Sequence, residues 1–368
     1  FINNVQATNA LHKNGIALND AIDYGVIGCY EVYAQGTELP CSGNGNVNML
    51  KAVEAVIFNG YDALTEQKVF DEKAEPETYE EFLQQVKDYL GLFIDKTINV
   101  INAYEKGYPK MQFAPFLSST YDSCMEKGMD IYSGGAKYNS SSINMVGTAS
   151  CADSIFAVKT LVFDEKRLTL KELREVLKNN WENNEELRQY ALSLHKYGNN
   201  YYDVDSIAKD VTSFCMNKIN GRENGRSGTY RGGTWSITNR IPHGEKAGAS
   251  PDGRKAKEPL SKNICAHTAQ DKNGATAHIL SALKHDYSLV PNGTVLDLAL
   301  SHTAVKGDDG LKALKATLDV FMANGGFAIQ YNVLNPTALK EAQKNPREYS
   351  TLQVRLCGWN VLFNSLSK

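Results

Sequence analysis

Apolar positions recur along this chain at two different periods. Between residues 46 and 59, Met49, Leu50, Val53, Val56 and Ile57 fall on one face at helical spacing. A longer stripe runs through Phe82, Val86, Leu90, Phe93 and Ile94, opened by Thr78 with Glu81 three positions on, the pairing of a capping box. Thr169 with Glu172 repeats that device ahead of Leu173, Val176 and Leu177. Residues 207–219 and 311–323 carry the same spacing, the second closed by Asn324-Gly325-Gly326, and Asn335-Pro336 starts a further helix as cap and first-turn proline. Between these stripes, residues 23–27, 327–333 and 352–356 read as short extended runs. Helices alternating with strands predict an α/β architecture. The pattern does not choose between an open sheet and a barrel. Residues 221–253, rich in glycine, arginine and serine, are the one candidate for a long irregular stretch, dividing a main body from a C-terminal region that starts near residue 245.

The chain has 368 residues, room for one large or two ordinary domains. With 42% hydrophobic and 22% charged residues, the composition is that of a globular protein. A net charge of −3 offers no basic field for nucleic acid. No apolar run reaches membrane-spanning length. Seven cysteines (29, 41, 124, 151, 215, 265 and 357) are odd in number and irregular in spacing, with no CxxC, HxxH or HExxH pattern. Disulfide framework and metal site are therefore both disfavoured, and reduced thiols in a cytoplasmic protein fit best, six of them as small buried residues. Gly232-Gly233 and Gly43-Asn44-Gly45 lack phosphate-loop spacing, which removes nucleotide binding.

Two short stretches carry candidate chemistry. The first is Val354-Arg355-Leu356-Cys357-Gly358-Trp359-Asn360-Val361-Leu362-Phe363, one glycine inside a tight, mostly apolar run. Read alone, Gly358 is a turn glycine or a bulge. Yet glycine is also the one residue whose backbone carbon can become planar between two peptide groups without a Cβ crowding it. The second stretch is Gly28-Cys29-Tyr30-Glu31, 329 residues upstream of Gly358 when counted from Cys29. A lone cysteine is more often inert packing than catalyst, and a lone glutamate is more often a solvated surface group. Here Gly28 permits a tight turn, and an extended segment puts positions 29 and 31 on the same side, a carboxylate beside a thiol.

Taken together, these stretches resemble the glycyl radical enzymes, the pyruvate formate-lyase-like superfamily. Further matches follow in order: Ser133-Gly134-Gly135-Ala136-Lys137-Tyr138-Asn139, Gly248-Ala249-Ser250-Pro251-Asp252-Gly253-Arg254, Pro259-Leu260-Ser261, Asp271-Lys272-Asn273-Gly274 and Gln330-Tyr331-Asn332-Val333. Leu356 stands where a β-branched residue is commoner, Trp359 where tyrosine or phenylalanine is usual, and Tyr30 where an aliphatic residue is commoner. The resemblance implies the second half of a ten-stranded β/α barrel, with a cysteine loop and a glycine loop meeting inside. Residues 1–244 would be the C-terminal half of the barrel domain and residues 245–368 a glycine radical domain, cut short ten residues after Gly358. Family members are roughly twice this long, so the chain, which starts at Phe1, is expected to be a C-terminal portion that works with an N-terminal half.

The resemblance also implies roles. Gly358 would store the radical, which a separate radical S-adenosylmethionine activating enzyme installs, with no metal or organic cofactor bound. Cys29 would turn it into a thiyl radical from a neutral S–H, and Glu31 would take the proton of a substrate hydroxyl. Lack of a second thiol beside Cys29 argues against formate acetyltransferase chemistry and for radical elimination, by a dehydratase or related lyase, on a small hydroxylated substrate. Alternatives are a carbon–carbon lyase, a decarboxylase, a fumarate-adding enzyme, or a non-catalytic half that pairs with a partner chain. Tyr33, Gln35 and Glu38 are candidates to reach substrate, or else packing and surface residues. Among histidines 195, 243, 267, 278, 285 and 302, His267 is the first candidate to protonate a leaving group. A homodimer in an anaerobic cytoplasm or a bacterial microcompartment completes what the resemblance implies, with oxygen cleaving the activated chain at position 358.

Overall fold

The computed structural model describes residues 1–356 and 358–366. Cys357, counted above among the buried thiols and part of the glycine run, lies outside the described residues. Strands β1 (Tyr24–Ile27) and β2 (Glu31–Ala34) form an antiparallel hairpin whose last pair is Ile27 with Glu31. Gly28, Cys29 and Tyr30 make its turn. The extended run expected at 23–27 forms from Tyr24 on, and Cys29 itself is in the turn rather than in extended chain.

Next come β3 (Cys41–Asn48), β4 (Ser141–Val146) and β5 (Tyr230–Gly233), a parallel sheet in that order. The crossovers are helical, as parallel pairing demands. A 33-residue helix, Tyr79–Met111, runs between β3 and β4, and Tyr202–Ile219 precedes β5. Both predicted capping boxes form, Thr78 with Glu81 and Thr169 with Glu172. β6 (Leu296–Ser301) and β7 (Ile329–Leu334) make a second parallel pair. The Asn292 amide donates to the Gly232 carbonyl at 3.0 Å and the Thr234 amide to the Gly293 carbonyl at 3.3 Å, so the approach to β6 lies beside the end of β5. β6 and β7 therefore continue the wall beyond β5 as a separate two-stranded sheet. Residues 1–3 line the far side of β7, where Ile2 bridges Ala328. Last, β8 (Gln353–Leu356) and β9 (Trp359–Leu362) form an antiparallel hairpin around Gly358.

Two expectations need correction. The helical reading of residues 46–59 starts too early: residues 46–48 complete β3, and the helix is Leu50–Ile57. The Met49 amide still donates to the Val146 carbonyl at 3.0 Å, so pairing with β4 overrides the apolar period. Residues 221–253 are not one irregular stretch, since they contain β5 and the short helix Arg240–Glu245. Glycine serves that strand because neighbours press on it. A Cβ at Gly232 would lie 2.4 Å from Met216 Sδ, and one at Gly233 would lie 2.5 Å from Asn144 Oδ1.

Every residue of β4 is buried, as expected for a parallel strand covered on both faces. The main core joins Phe82, Leu90 and Ile94 of the long helix to Ile143, Met145, Val211 and Tyr230. A smaller cluster, with Ile264, Ile279, Leu296, Phe321 and Ile329, lies under β6 and β7. Among the described residues no helix is long and apolar enough to cross a membrane.

Candidate active site

The tips of the two hairpins touch. Gly358 has φ +96°, and a Cβ placed on it would sit 2.6 Å from Cys29 Cα, 2.6 Å from Cys29 Cβ and 3.0 Å from Cys29 Sγ. No side chain fits there, and the left-handed backbone disfavours one as well. The absence of a Cβ is what lets the cysteine rest against this backbone carbon, although 329 residues separate the two in sequence.

Glu31 reaches the same tip by folding back over the turn. Its Oε2 accepts from the backbone amides of Cys29 and Tyr30, both at 2.8 Å. The space a side chain would need at Gly28, where φ is +63°, is taken by Oε1, 2.9 Å from an added Cβ. The thiol and carboxylate are neighbours, then, through a turn that the carboxylate caps and not through strand alternation. Glu31 is 3% exposed. Burial holds its carboxyl above the ordinary glutamate value, against the pull of the Tyr30, Glu31 and Cys29 amides and the Ser42 hydroxyl. Ser42, on β3, is tied down in turn: the side-chain amides of Asn144 and Asn292 donate to its carbonyl at 3.2 and 3.1 Å.

The hairpin is fixed at its base by Glu38. This residue is fully buried, accepts from the Ala34 amide at 2.8 Å and pairs with Arg231 Nη1 of β5 at 2.6 Å. Ser140 also donates to it. Glu38 thus anchors the hairpin to the sheet. Tyr33 covers Gly25 across the hairpin, its ring carbon Cε1 2.8 Å from where a Cβ would stand. Gln35 is exposed in the turn after β2. His267 lies on the loop after Pro259-Leu260-Ser261, its Nε2 at 3.1 Å from the Pro259 carbonyl. Among the described residues, nothing joins Gln35 or His267 to the hairpin tips.

Two other histidines have structural places. His285 is buried, meets the Tyr197 hydroxyl at 3.2 Å, and burial pushes it down to about 3, so it is neutral. His278 Nε2 accepts from the Ala266 amide at 2.9 Å.

On the glycine side, Arg355 Nη2 donates to the Gly358 carbonyl at 3.1 Å and Arg355 Nε to Gln330 Oε1 at 3.1 Å. The Tyr30 hydroxyl donates to that same Gln330 oxygen. Tyr30, Gln330 and Arg355 all fall within the motifs above, where none of them has a role. The available signal was a charged residue inside an otherwise apolar run.

The profile of the pyruvate formate lyase-like family matches residues 1–244, and that of the glycine radical family matches residues 260–364. The chain belongs to the pyruvate formate lyase-like family of glycyl radical enzymes. It is 32% identical to (2S)-3-sulfopropanediol dehydratase of Klebsiella oxytoca, over 100% of this chain and 46% of that protein. It is 33% identical to trans-4-hydroxy-L-proline dehydratase of Clostridioides difficile, over 100% of this chain and 47% of that protein. The B12-independent glycerol dehydratase from Clostridium butyricum, solved in a glycerol-bound form, superposes with a TM-score of 0.95 at 32% identity, over 100% of this chain and 47% of that one. This glycyl radical chain therefore spans about half the length of the relatives it matches, and its wall of strands is the second half of their barrel.

Proposed function

We propose that this glycyl radical chain carries the radical-handling half of an eliminase, a dehydratase or related lyase acting on a small hydroxylated molecule. The observation that supports it most is the contact of Gly358 with Cys29 beside a buried Glu31. In this reading the Gly358 Cα radical takes the hydrogen atom of the Cys29 thiol, and the thiyl radical takes one from a hydroxyl-bearing carbon of the substrate. Loss of that hydrogen acidifies the hydroxyl, and Glu31, ionised, accepts its proton. The resulting ketyl-type radical expels the leaving group with its electron pair from the neighbouring carbon, and the proton held by Glu31 leaves with it, as water when that group is hydroxide. The product radical recovers hydrogen from the thiol, and Cys29 recovers it from Gly358, restoring the stored radical. By name, the relatives compared above dehydrate a sulfopropanediol, a hydroxyproline and glycerol, which favours a vicinal or near-vicinal hydroxylated substrate here.

The proposal includes a radical S-adenosylmethionine activating enzyme and a partner half equivalent to the rest of the relatives' length. It also includes a division of labour, residues 1–244 as barrel half and 245–368 as glycine radical region, and an anaerobic cytoplasmic setting. Low-temperature EPR of the complete enzyme after anaerobic activation tests it. A doublet split by one α-hydrogen, lost in Gly358→Ala, is expected. No doublet, or one that survives the substitution, sinks the reading. Product analysis with 1,2-diols, amino alcohols and hydroxyproline then assigns the leaving group.

A further inference from the structure

The β8–β9 hairpin carries Gly358 but is poorly buried: Trp359 is 51% and Leu362 44% exposed. Within this chain, side-chain hydrogen bonds tie it to the cysteine turn and to β7. We propose that Tyr30, Gln330 and Arg355 are positioning residues forming a latch that holds Gly358 against Cys29 and polarises the Gly358 carbonyl. The proposal rests on the radical role assigned to Gly358 for its second half only.

The latch crosses three elements. Tyr30, 6% exposed, belongs to the turn that carries Cys29, and its hydroxyl donates to Gln330 Oε1 on β7. Gln330, also 6% exposed, is held in one orientation because its Nε2 donates to Asn332 Oδ1 at 2.8 Å. Its oxygen thus faces two donors, the Tyr30 phenol and Arg355 Nε. The same guanidinium spans the β8–β9 turn: Nη2 donates to the Gly358 carbonyl at 3.1 Å and Nη1 to Asn360 Oδ1 at 3.4 Å. Asn360 is the cross-strand partner of Arg355. One planar, five-donor group therefore ties both strands of the glycine hairpin to the barrel wall, a task for which lysine lacks the fork. Tyr30 connects that group to the cysteine turn through a single shared acceptor.

The electronic consequence follows from where the bond lands. A radical at Gly358 Cα is flanked by an amide nitrogen and its own carbonyl, and unpaired spin spreads onto that carbonyl oxygen. A cation donating to this oxygen favours the spread, as charge-assisted hydrogen bonds are the stronger kind. Arg355 would thereby lower spin density on Cα and narrow the splitting by the remaining α-hydrogen.

The test uses the complete enzyme, with variants Tyr30→Phe and Arg355→Lys, singly and together. Before activation, amide hydrogen exchange over residues 353–362 should quicken about tenfold in each single variant, the scale of one lost hydrogen bond. The double variant should gain less than the product of the two, because both act through Gln330. Exchange in the helix Tyr202–Ile219 should stay unchanged. After activation, the EPR splitting should widen in Arg355→Lys. Unchanged exchange at residues 353–362, or a rise spread evenly over the chain, overturns the latch. An unchanged splitting overturns the polarising role. If the wild-type protein gives no doublet at all, the catalytic reading fails, while the exchange experiment still decides the latch.

Discussion

The two hairpins that meet at the site are built by different physics. In the β1–β2 hairpin, β2 packs into the main core, with Val32 and Ala34 buried, and its exit is pinned by the Glu38–Arg231 pair. Within this chain, the β8–β9 hairpin buries little apolar surface and is tied to β7 by hydrogen bonds from Arg355. Burial anchors the first hairpin chiefly through β2, since Val26 and Ile27 of β1 are 47% and 39% exposed. Hydrogen bonds at a partly wet surface contribute about 1 kcal/mol each and can be broken one at a time. The group proposed to act on substrate thus sits on a hairpin anchored by burial of β2, and within this chain the group proposed to store the radical sits on one anchored by hydrogen bonds.

Substitutions at the contact itself should break this comparison most completely. Cys29→Ser is expected to leave the radical doublet intact and reduce turnover of the complete enzyme to background, as read by EPR and product formation on one sample. Gly358→Ala should remove both signals, because the new Cβ meets Cys29 at 2.6 Å.

Glu31→Gln should lower kcat by roughly 10²–10⁴, the range for a lost general base. The pH profile sharpens the assignment. Burial places the Glu31 carboxyl above its ordinary value, and a base works only when ionised. The wild-type rate should therefore climb with pH through a midpoint above about 4.3, and Glu31→Gln should lack that limb. The stability sign runs the same way. A folded-state pKa above the unfolded one means the fold holds the proton more tightly, so ionising Glu31 removes stability as pH rises between the two values. Wild type and Glu31→Gln melts should converge at low pH and separate above that window.

Glu38→Ala leaves Arg231 buried and unpaired, which should cost about 3–5 kcal/mol and appear as a lower midpoint in denaturant. If Glu38 contacted substrate instead, KM would move and stability would not. The smallest effect is expected at Thr78→Ala, which removes one cap of the long helix, about 1 kcal/mol, with kcat unchanged.

How much of this was legible in advance varied with the range of the forces. Capping boxes were readable because both partners lie within one helical turn. The helix at Pro336–Lys344 was readable for the same reason, since Asn335 caps the amides of Thr337 and Ala338. β4 was not, because Ser141, Ser142 and Asn144 break up its apolar run, and they are buried only because helices and strands cover both faces. Glu38 read as a substrate candidate from its position after the cysteine. Its role was decided by Arg231, almost two hundred residues away.

The sequence by itself determined the chemical repertoire: one glycine in a tight run, one cysteine after a glycine, and one carboxylate two positions on. Those identities fix which atoms can hold a radical, relay it or accept a proton. It could not determine that Gly358 rests on Cys29, that Glu31 turns back onto the Cys29 amide, or that Tyr30 and Arg355 share the Gln330 oxygen. Such contacts depend on where five strands and two hairpins come to lie. That placement is set by burial and pairing summed over the whole chain, and no local stretch of residues encodes it.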